Sequence, residues 1–357
     1  MPSITQWLPQ PKIRRPIVVV GAGGIVRDAH LPAYRKAGFE VAGLLDIDRE
    51  RARSVASQFG VNTVYGSIGE AIRCAPEGAI FDIATQPSAI PELLAALPDG
   101  SPAMIQKPMG ERIEEARNIR DLCRRKRLTA IVNFQLRFAP AILAARSLIE
   151  QGALGDLHSL DIRINVDTPW GLFPYLAARP RVEIVYHSIH YLDLVRSFLG
   201  DPRAVYALTV RHPAEPDIAS TRSSIILNYG DDKWVQISTN HGHVFGPDHQ
   251  ESFVKWEGTR GAAKTRLGVL MNYPTGMPDS FEYCVLKNGG PTAWTPVELE
   301  GRWFPDAFIG SMTSLMRFLD GSSTTLPTSV EDAYRTMAVV EAAYASSDSQ
   351  GTPVAYD

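Results

Sequence analysis

The sequence predicts a two-domain α/β protein. An N-terminal parallel sheet with helices on both faces is followed by an α+β domain with a large, mostly antiparallel open sheet. Three observations predict it. The chain has 357 residues, more than one ordinary hydrophobic core holds. Up to about residue 138, short apolar runs alternate with helical patterns, the rhythm of a parallel sheet. Beyond about residue 139, β-type runs follow one another without helices between them, as in antiparallel sheets. The expected domains are therefore 1–138 and 139–357.

The first run, Ile17-Val18-Val19-Val20, is β-branched throughout and reads as a strand buried on both faces. Glycines at 21, 23 and 24 follow, then a helical stretch over 25–37. A second strand over 41–45 ends at Asp46, with a helix over 48–59 behind it. Residues 79–84 and 103–105 read as strands, separated by a helix that starts at Pro91, a first-turn proline. A charged helix over 111–127 and a strand over 129–134 complete the first domain. In the second, a helix over 141–151 leads to a strand over 157–166, an irregular Trp/Phe/Pro stretch over 168–180 and a helix over 182–199. Strands over 204–210, 223–228, 234–239 and 252–257 follow, and helices near 305–319 and 330–345 close the domain.

Composition narrows the function classes. Hydrophobic residues at 45% and charged residues at 21% are the proportions of a globular protein. A net charge of −3 does not suit a protein that binds nucleic acid by neutralising phosphates. The one basic run, Arg124-Arg125-Lys126-Arg127, reads as the cationic end of a surface helix. Three scattered cysteines form neither a disulfide framework nor a zinc motif, so free thiols in a reducing compartment are expected. Residues 1–16 lack the apolar centre of a secretory leader, and the longest apolar stretch, 17–26, is too short to span a bilayer. A cytoplasmic protein without membrane or nucleic-acid partners is expected.

Two constellations carry chemistry. Gly21-x-Gly23, between a buried strand and a helix, fits a dinucleotide-binding turn. The first glycine makes the tight turn and the second lets backbone approach a pyrophosphate at the helix N-terminus. The usual third small residue is Val26 here. Asp46 closes the second strand roughly 25 residues after Gly21, about where a carboxylate binds the adenine ribose and repels a 2′-phosphate. NAD is therefore expected over NADP, with Arg49 softening the preference. Lys107, in Gln106-Lys107-Pro108, follows a strand whose carboxyl end faces the cofactor crevice. The second constellation is 183–193. At about 100° per residue, Tyr186, His190 and Asp193 fall on one helical face, with His187 beside them. A histidine near an acid suits general acid–base work. Zinc on His187 and His190 would need a third ligand, and none stands at a matching spacing, so no metal is expected. A purely structural role for these histidines stays open.

The ordered set Gly21-Ala-Gly-Gly, Arg27-Asp-Ala-His-Leu-Pro32, Asp46, Ala84-Thr85, Gln106-Lys-Pro108, Asn133-Phe-Gln-x-Arg137-Phe, Gly152-Ala-Leu-Gly155 and His190-Tyr-Leu-Asp193 resembles the Gfo/Idh/MocA oxidoreductases across nearly the whole chain. The resemblance implies a Rossmann domain with Gly21, Gly23, Gly24, Ile25, Asp46, Thr85, Gln86, Gln106 and Lys107 around NAD. It also implies a C-terminal substrate-binding domain whose open sheet forms a homodimer or homotetramer interface. The family's catalytic lysine maps onto Lys107, where the Lys–Pro bond is often cis, and its catalytic histidine maps onto His190. Three positions depart from the family. Gln106 replaces a glutamate, Ile90 replaces a histidine, and Tyr186 stands where a catalytic aspartate is usual.

The reaction this implies is hydride transfer between a carbinol carbon of a sugar, glycoside or polyol and NAD. His190 would serve as base, Lys107 would polarise the oxygen, and Tyr186 would be a hydrogen-bond donor. His187, Arg137, Arg163, Trp170 and Asp193 are candidate substrate contacts. Phe173, Tyr175, Arg181, His241 and His243 could complete a carbohydrate pocket. A nucleotide- or sugar-sensing regulator of the same fold, or a redox step in glycoside cleavage through a keto-sugar, are the alternative readings.

Overall fold

The computed structural model describes residues 2–177, 179–287 and 290–355. By its internal contacts the chain forms two units. One is Trp7–Ala139 with Phe304–Met337; the other is Met1–Gln6, Pro140–Trp303 and Ala338–Asp357.

The first unit is built on a parallel sheet of Ile17–Val20 (β1), Val41–Leu45 (β2), Ile80–Ile83 (β3), Pro102–Ile105 (β4) and Thr129–Val132 (β5), in the order β2-β1-β3-β4-β5. Every residue of β1 is buried, as a run apolar on both faces requires. The helices Leu31–Ala37 (α1), Arg49–Phe59 (α2), Ile68–Cys74 (α3), Ile90–Ala96 (α4) and Ile113–Arg125 (α5) connect the strands. Asp48 starts α2 by accepting the backbone N–H of Arg51 at 3.0 Å, and Ser67 caps α3 in the same way. The sequence reading had no helix at α3.

The second unit starts with Pro140–Glu150 (α6), Leu157–Asn165 (β6) and Ile189–Leu199 (α7). The strands Ala204–Val210 (β7), Arg222–Asn228 (β8), Trp234–Asn240 (β9), Glu251–Gly258 (β10), Gly261–Arg266 (β11), Ser280–Lys287 (β12), Gly290–Pro291 (β13) and Thr295–Val297 (β14) complete a nine-stranded sheet. Its order is β13-β12-β11-β10-β6-β9-β8-β7, with β14 also on β12. The β6–β9 pair is parallel and the other pairs are antiparallel, so the expected sheet character is present. Side chains alternate along β6. Leu160, Ile162 and Ile164 are buried on the inner face, where Phe198 of α7 meets Trp256 edge-on at 5.5 Å. Asp161 and Arg163 point to the opposite, outer face.

The last helices are Asp306–Leu319 (α8) and Val330–Asp348 (α9). The sequence reading placed α8 in the second domain, but α8 packs within the first unit. Phe308 and Met312 share the core of β1 and α1, and the Phe308 ring lies 4.9 Å from that of His30. Gly310 is a glycine because a Cβ there would collide with Phe138 Cβ. The division between units falls inside α9, after Met337. Among the described residues no helix is long and apolar enough to cross a membrane.

Candidate active site

Residues 21–25 link β1 to a helix whose first recognised turn, Val26–His30, is wound as a π-helix before α1. Gly21 has φ +111°, and a Cβ there would collide with the carbonyl oxygen of Ala84. Only glycine fits the turn. At Gly23 the opposite holds, because an added Cβ meets nothing within 4 Å. One glycine is required by the fold, and the other leaves a cradle that a side chain would fill. That open backbone at a helix start is the shape a pyrophosphate needs.

Asp46, at the end of β2, is turned toward this cradle. Its Oδ2 accepts the Ala22 N–H at 2.6 Å, while Oδ1 accepts the Asp48 N–H at 2.8 Å and Arg51 Nη2 at 2.6 Å. Three of its roughly four acceptor positions are used, so one remains for a ribose hydroxyl. The arginine beside Asp46 is Arg51, whereas the sequence reading looked to Arg49. Under the turn, His30 Nδ1 lies 2.7 Å from Asp82 Oδ2, and the Tyr34 hydroxyl donates to the same oxygen at 2.7 Å. All three side chains are buried, tying the helix to β3.

Lys107 follows β4 directly. Its N–H donates to Gln106 Oε1 at 3.0 Å, and the Lys107–Pro108 bond is cis, as the resemblance implied. The side chain is half-buried, and its removal from water pulls the ammonium pKa down from 10.5 to about 8. An amine titrating there can donate or accept a proton near neutrality. Thr85 and Gln86 follow β3, the neighbour of β4. Arg137 is buried and paired with Asp332 at 2.6 Å, which fastens the segment after β5 to α9.

In the second unit, 183–193 is not one regular helix. Glu183–Ser188 is wound as a π-helix and only Ile189–Leu199 is α-helical. The angular argument at about 100° per residue therefore fails before residue 189, since a π turn is wider. His190 and Asp193 are both buried on α7, and the His190 ring meets Trp303 edge-on at 5.9 Å. Tyr186 is also buried, its ring edge-on to Tyr175 at 6.2 Å. His187 is half-buried between Trp170, at 5.5 Å, and His241, at 4.5 Å. Trp170 is itself buried, so it packs on histidines rather than presenting an open stacking face. Arg163 departs from the group altogether. It sits on the outer sheet face paired with Glu251, on the side away from α7. Arg181 is held by Glu341 through two bonds of 2.9 Å.

Two family models match this chain. The oxidoreductase family model with the NAD-binding Rossmann fold covers residues 15–134, and the GFO/IDH/MocA C-terminal domain covers 142–264. The chain belongs to the GFO/IDH/MocA family. D-apiose dehydrogenase of Rhizobium rhizogenes is 28% identical over 324 residues, 87% of this chain and 88% of that protein. Inositol 2-dehydrogenase 3 of Saccharopolyspora erythraea is 26% identical over 310 residues, covering 77% and 87%. Among solved structures, an oxidoreductase from Agrobacterium radiobacter in complex with NAD+, L-tartaric acid and magnesium superposes with a TM-score of 0.78. The alignment covers 95% of this chain and 98% of that one at 23% identity, a likeness of fold.

Against this family background, sequence reasoning missed Glu183 and Arg51. Glu183 stands among apolar residues in Val182-Glu-Ile-Val185, and an acid there signals a buried partner. Arg51 lies five residues after Asp46, in the first turn of α2, close enough to reach back over the helix start.

Proposed function

We propose that this GFO/IDH/MocA oxidoreductase transfers hydride between a carbinol carbon of a sugar or polyol and NAD. The observation that carries the reading is Lys107. It is a half-buried amine at the carboxyl end of a parallel strand, with its pKa pulled to about 8. The dehydrogenase relatives named for apiose and inositol support a polyhydroxylated substrate. Nicotinamide, when bound, accepts or returns the hydride. Lys107 polarises the substrate oxygen, His190 takes the hydroxyl proton, and Tyr186 donates a hydrogen bond. Gly21, Gly23, Gly24 and Ile25 hold the pyrophosphate, while Asp46 takes the adenine ribose. NAD is preferred because the Asp46 carboxylate repels a 2′-phosphate. Reduced-nicotinamide formation on a panel of aldoses, inositols and glycosides tests the reading. Tight nucleotide binding without turnover on any of them would replace it with the sensor.

The outer face of the nine-stranded sheet supports a homodimer or homotetramer. Tyr206, Leu208, Ile226 and Trp234 are exposed at the β7–β9 side, more apolar surface than a monomer usually leaves bare. A monomeric mass by light scattering at micromolar concentration would refute this assembly.

A further inference from the structure

Glu183 lies inside the second unit with no exposure to solvent. Its carboxylate accepts Ser188 Oγ at 2.7 Å and the Ser223 hydroxyl, and it faces His241 Nε2 at 3.5 Å. Burial alone would push this carboxyl's pKa up, but His241 and the two hydroxyl donors outweigh it and hold it below 4.5. The Ser188 bond spans five residues, a reach that the wide π turn provides.

His241 is fixed from the other end as well. Its Nδ1 lies 2.9 Å from Thr168 Oγ1, and its backbone N–H donates to the Thr221 carbonyl at 3.0 Å. With Nε2 carrying its proton toward Glu183, Nδ1 is left to accept the Thr168 hydroxyl; this tautomer is assigned from the partners. The His241 ring lies 4.5 Å from that of His187, tilted by 45°, and Trp170 meets both rings edge-on. A buried ionised carboxylate is weak evidence for stability, because apolar replacements are often neutral. Here its partners come from the π turn, β8 and the segment after β9, so the direction of the carboxylate is fixed several times over.

We infer that Glu183, acting through His241, is a positioning residue that fixes the ring of His187 as a hydrogen-bonding group for a substrate hydroxyl. The substrate clause rests on the dehydrogenase reading above, whereas the fixing of the ring does not. A ring held in one orientation binds without first losing its freedom to rotate, and so discriminates between epimeric hydroxyls.

The test is a double-mutant cycle with a spectroscopic arm. Glu183→Gln keeps the shape and should raise KM for the sugar or polyol about tenfold, with kcat changed by less than about threefold. Thr168→Val leaves the buried charge in place and should move KM the same way by about threefold, which covers the case in which Glu183→Gln fails to fold. Added to His187→Ala, Glu183→Gln should raise KM by less than about twofold more, since the acid acts through that ring. Losses that multiply in full would assign Glu183 a merely structural role and overturn the inference. In substrate-free protein labelled with ¹⁵N-histidine, Thr168→Val or Glu183→Gln should shift the ring signals of both His241 and His187. Unmoved His187 signals overturn it too. A wild-type enzyme silent on the whole substrate panel would sink the dehydrogenase reading, and the labelled-ring result then decides the positioning by itself.

Discussion

Replacing Lys107 by Met should make the protein more stable and less active at once. Methionine keeps an unbranched apolar stem, one atom shorter, and removes the charge. The amine's pKa falls from 10.5 in water to about 8 in the folded protein, because burial disfavours the cation. At about 1.4 kcal/mol for each tenfold step, this amounts to a handicap of about 3 kcal/mol. The side chain keeps some contact with solvent, so about 1–3 kcal/mol is the expected range. The pH dependence has a definite sign. Below about 8 the amine is protonated in both folded and unfolded chains, and the full handicap is present. Between about 8 and 10.5 the unfolded chain binds more protons, so wild-type stability climbs with pH through this window. Above 10.5 both states are neutral and the handicap is gone. Denaturant unfolding of wild type and Lys107→Met at pH 7 and pH 10 measures the difference. The variant should lead at pH 7, by less at pH 10, and should lose about 10²- to 10⁴-fold in turnover. A variant less stable than wild type at pH 7, or an advantage independent of pH, would refute burial of a disfavoured cation as the cause of the shift.

Further expectations separate fold from ligand. Gly21→Ala should unfold or severely destabilise the protein, whereas Gly23→Ala should leave the melting temperature nearly unchanged and weaken NAD binding at least about tenfold by calorimetry. Equal effects at the two positions would mean that the open cradle at Gly23 has no ligand. Asp46→Ser removes the negative charge and releases Arg51, and should raise NADP affinity relative to NAD at least about tenfold in a fluorescence titration. Asp332→Asn should cost about 1–3 kcal/mol in denaturant unfolding by weakening the hold on buried Arg137, without altering KM for substrate.

What the sequence made legible followed from local signals. The run at 17–20, the glycines behind it and the acid at 46 are close in sequence and in space, and the turn could be read directly. The helix at 182–199 was legible as a helix but not in its winding. Nothing in Glu-Ile-Val-Tyr-His-Ser announces a π turn, so an α-helical spacing does not give the angle between Tyr186 and His190. The strand Gly261–Arg266 escaped because Gly-Ala-Ala-Lys-Thr-Arg carries little β-branched character, and its place is set by β10 and β12 on either side. Arg163 and Arg137 look alike as isolated cations. Only the pairing across strands and with α9 reveals that each is already committed to a carboxylate. Glu183 and His241 are 58 positions apart, and no spacing rule joins them.

The return of Phe304–Met337 to the first unit has a consequence for biosynthesis. Val132 donates its N–H to the Thr328 carbonyl, Lys36 pairs with Asp306, and Phe308, Met312 and Leu315 fill the space beneath α1. A ribosome that has delivered residues 1–139 has therefore delivered a nucleotide-binding half with part of its core missing. The intervening 140–303 segment must emerge, with its own sheet to assemble, before that gap can close. Until residues 304–337 are made, the half-finished unit exposes apolar surface that the folded unit hides, and surface of this kind favours aggregation.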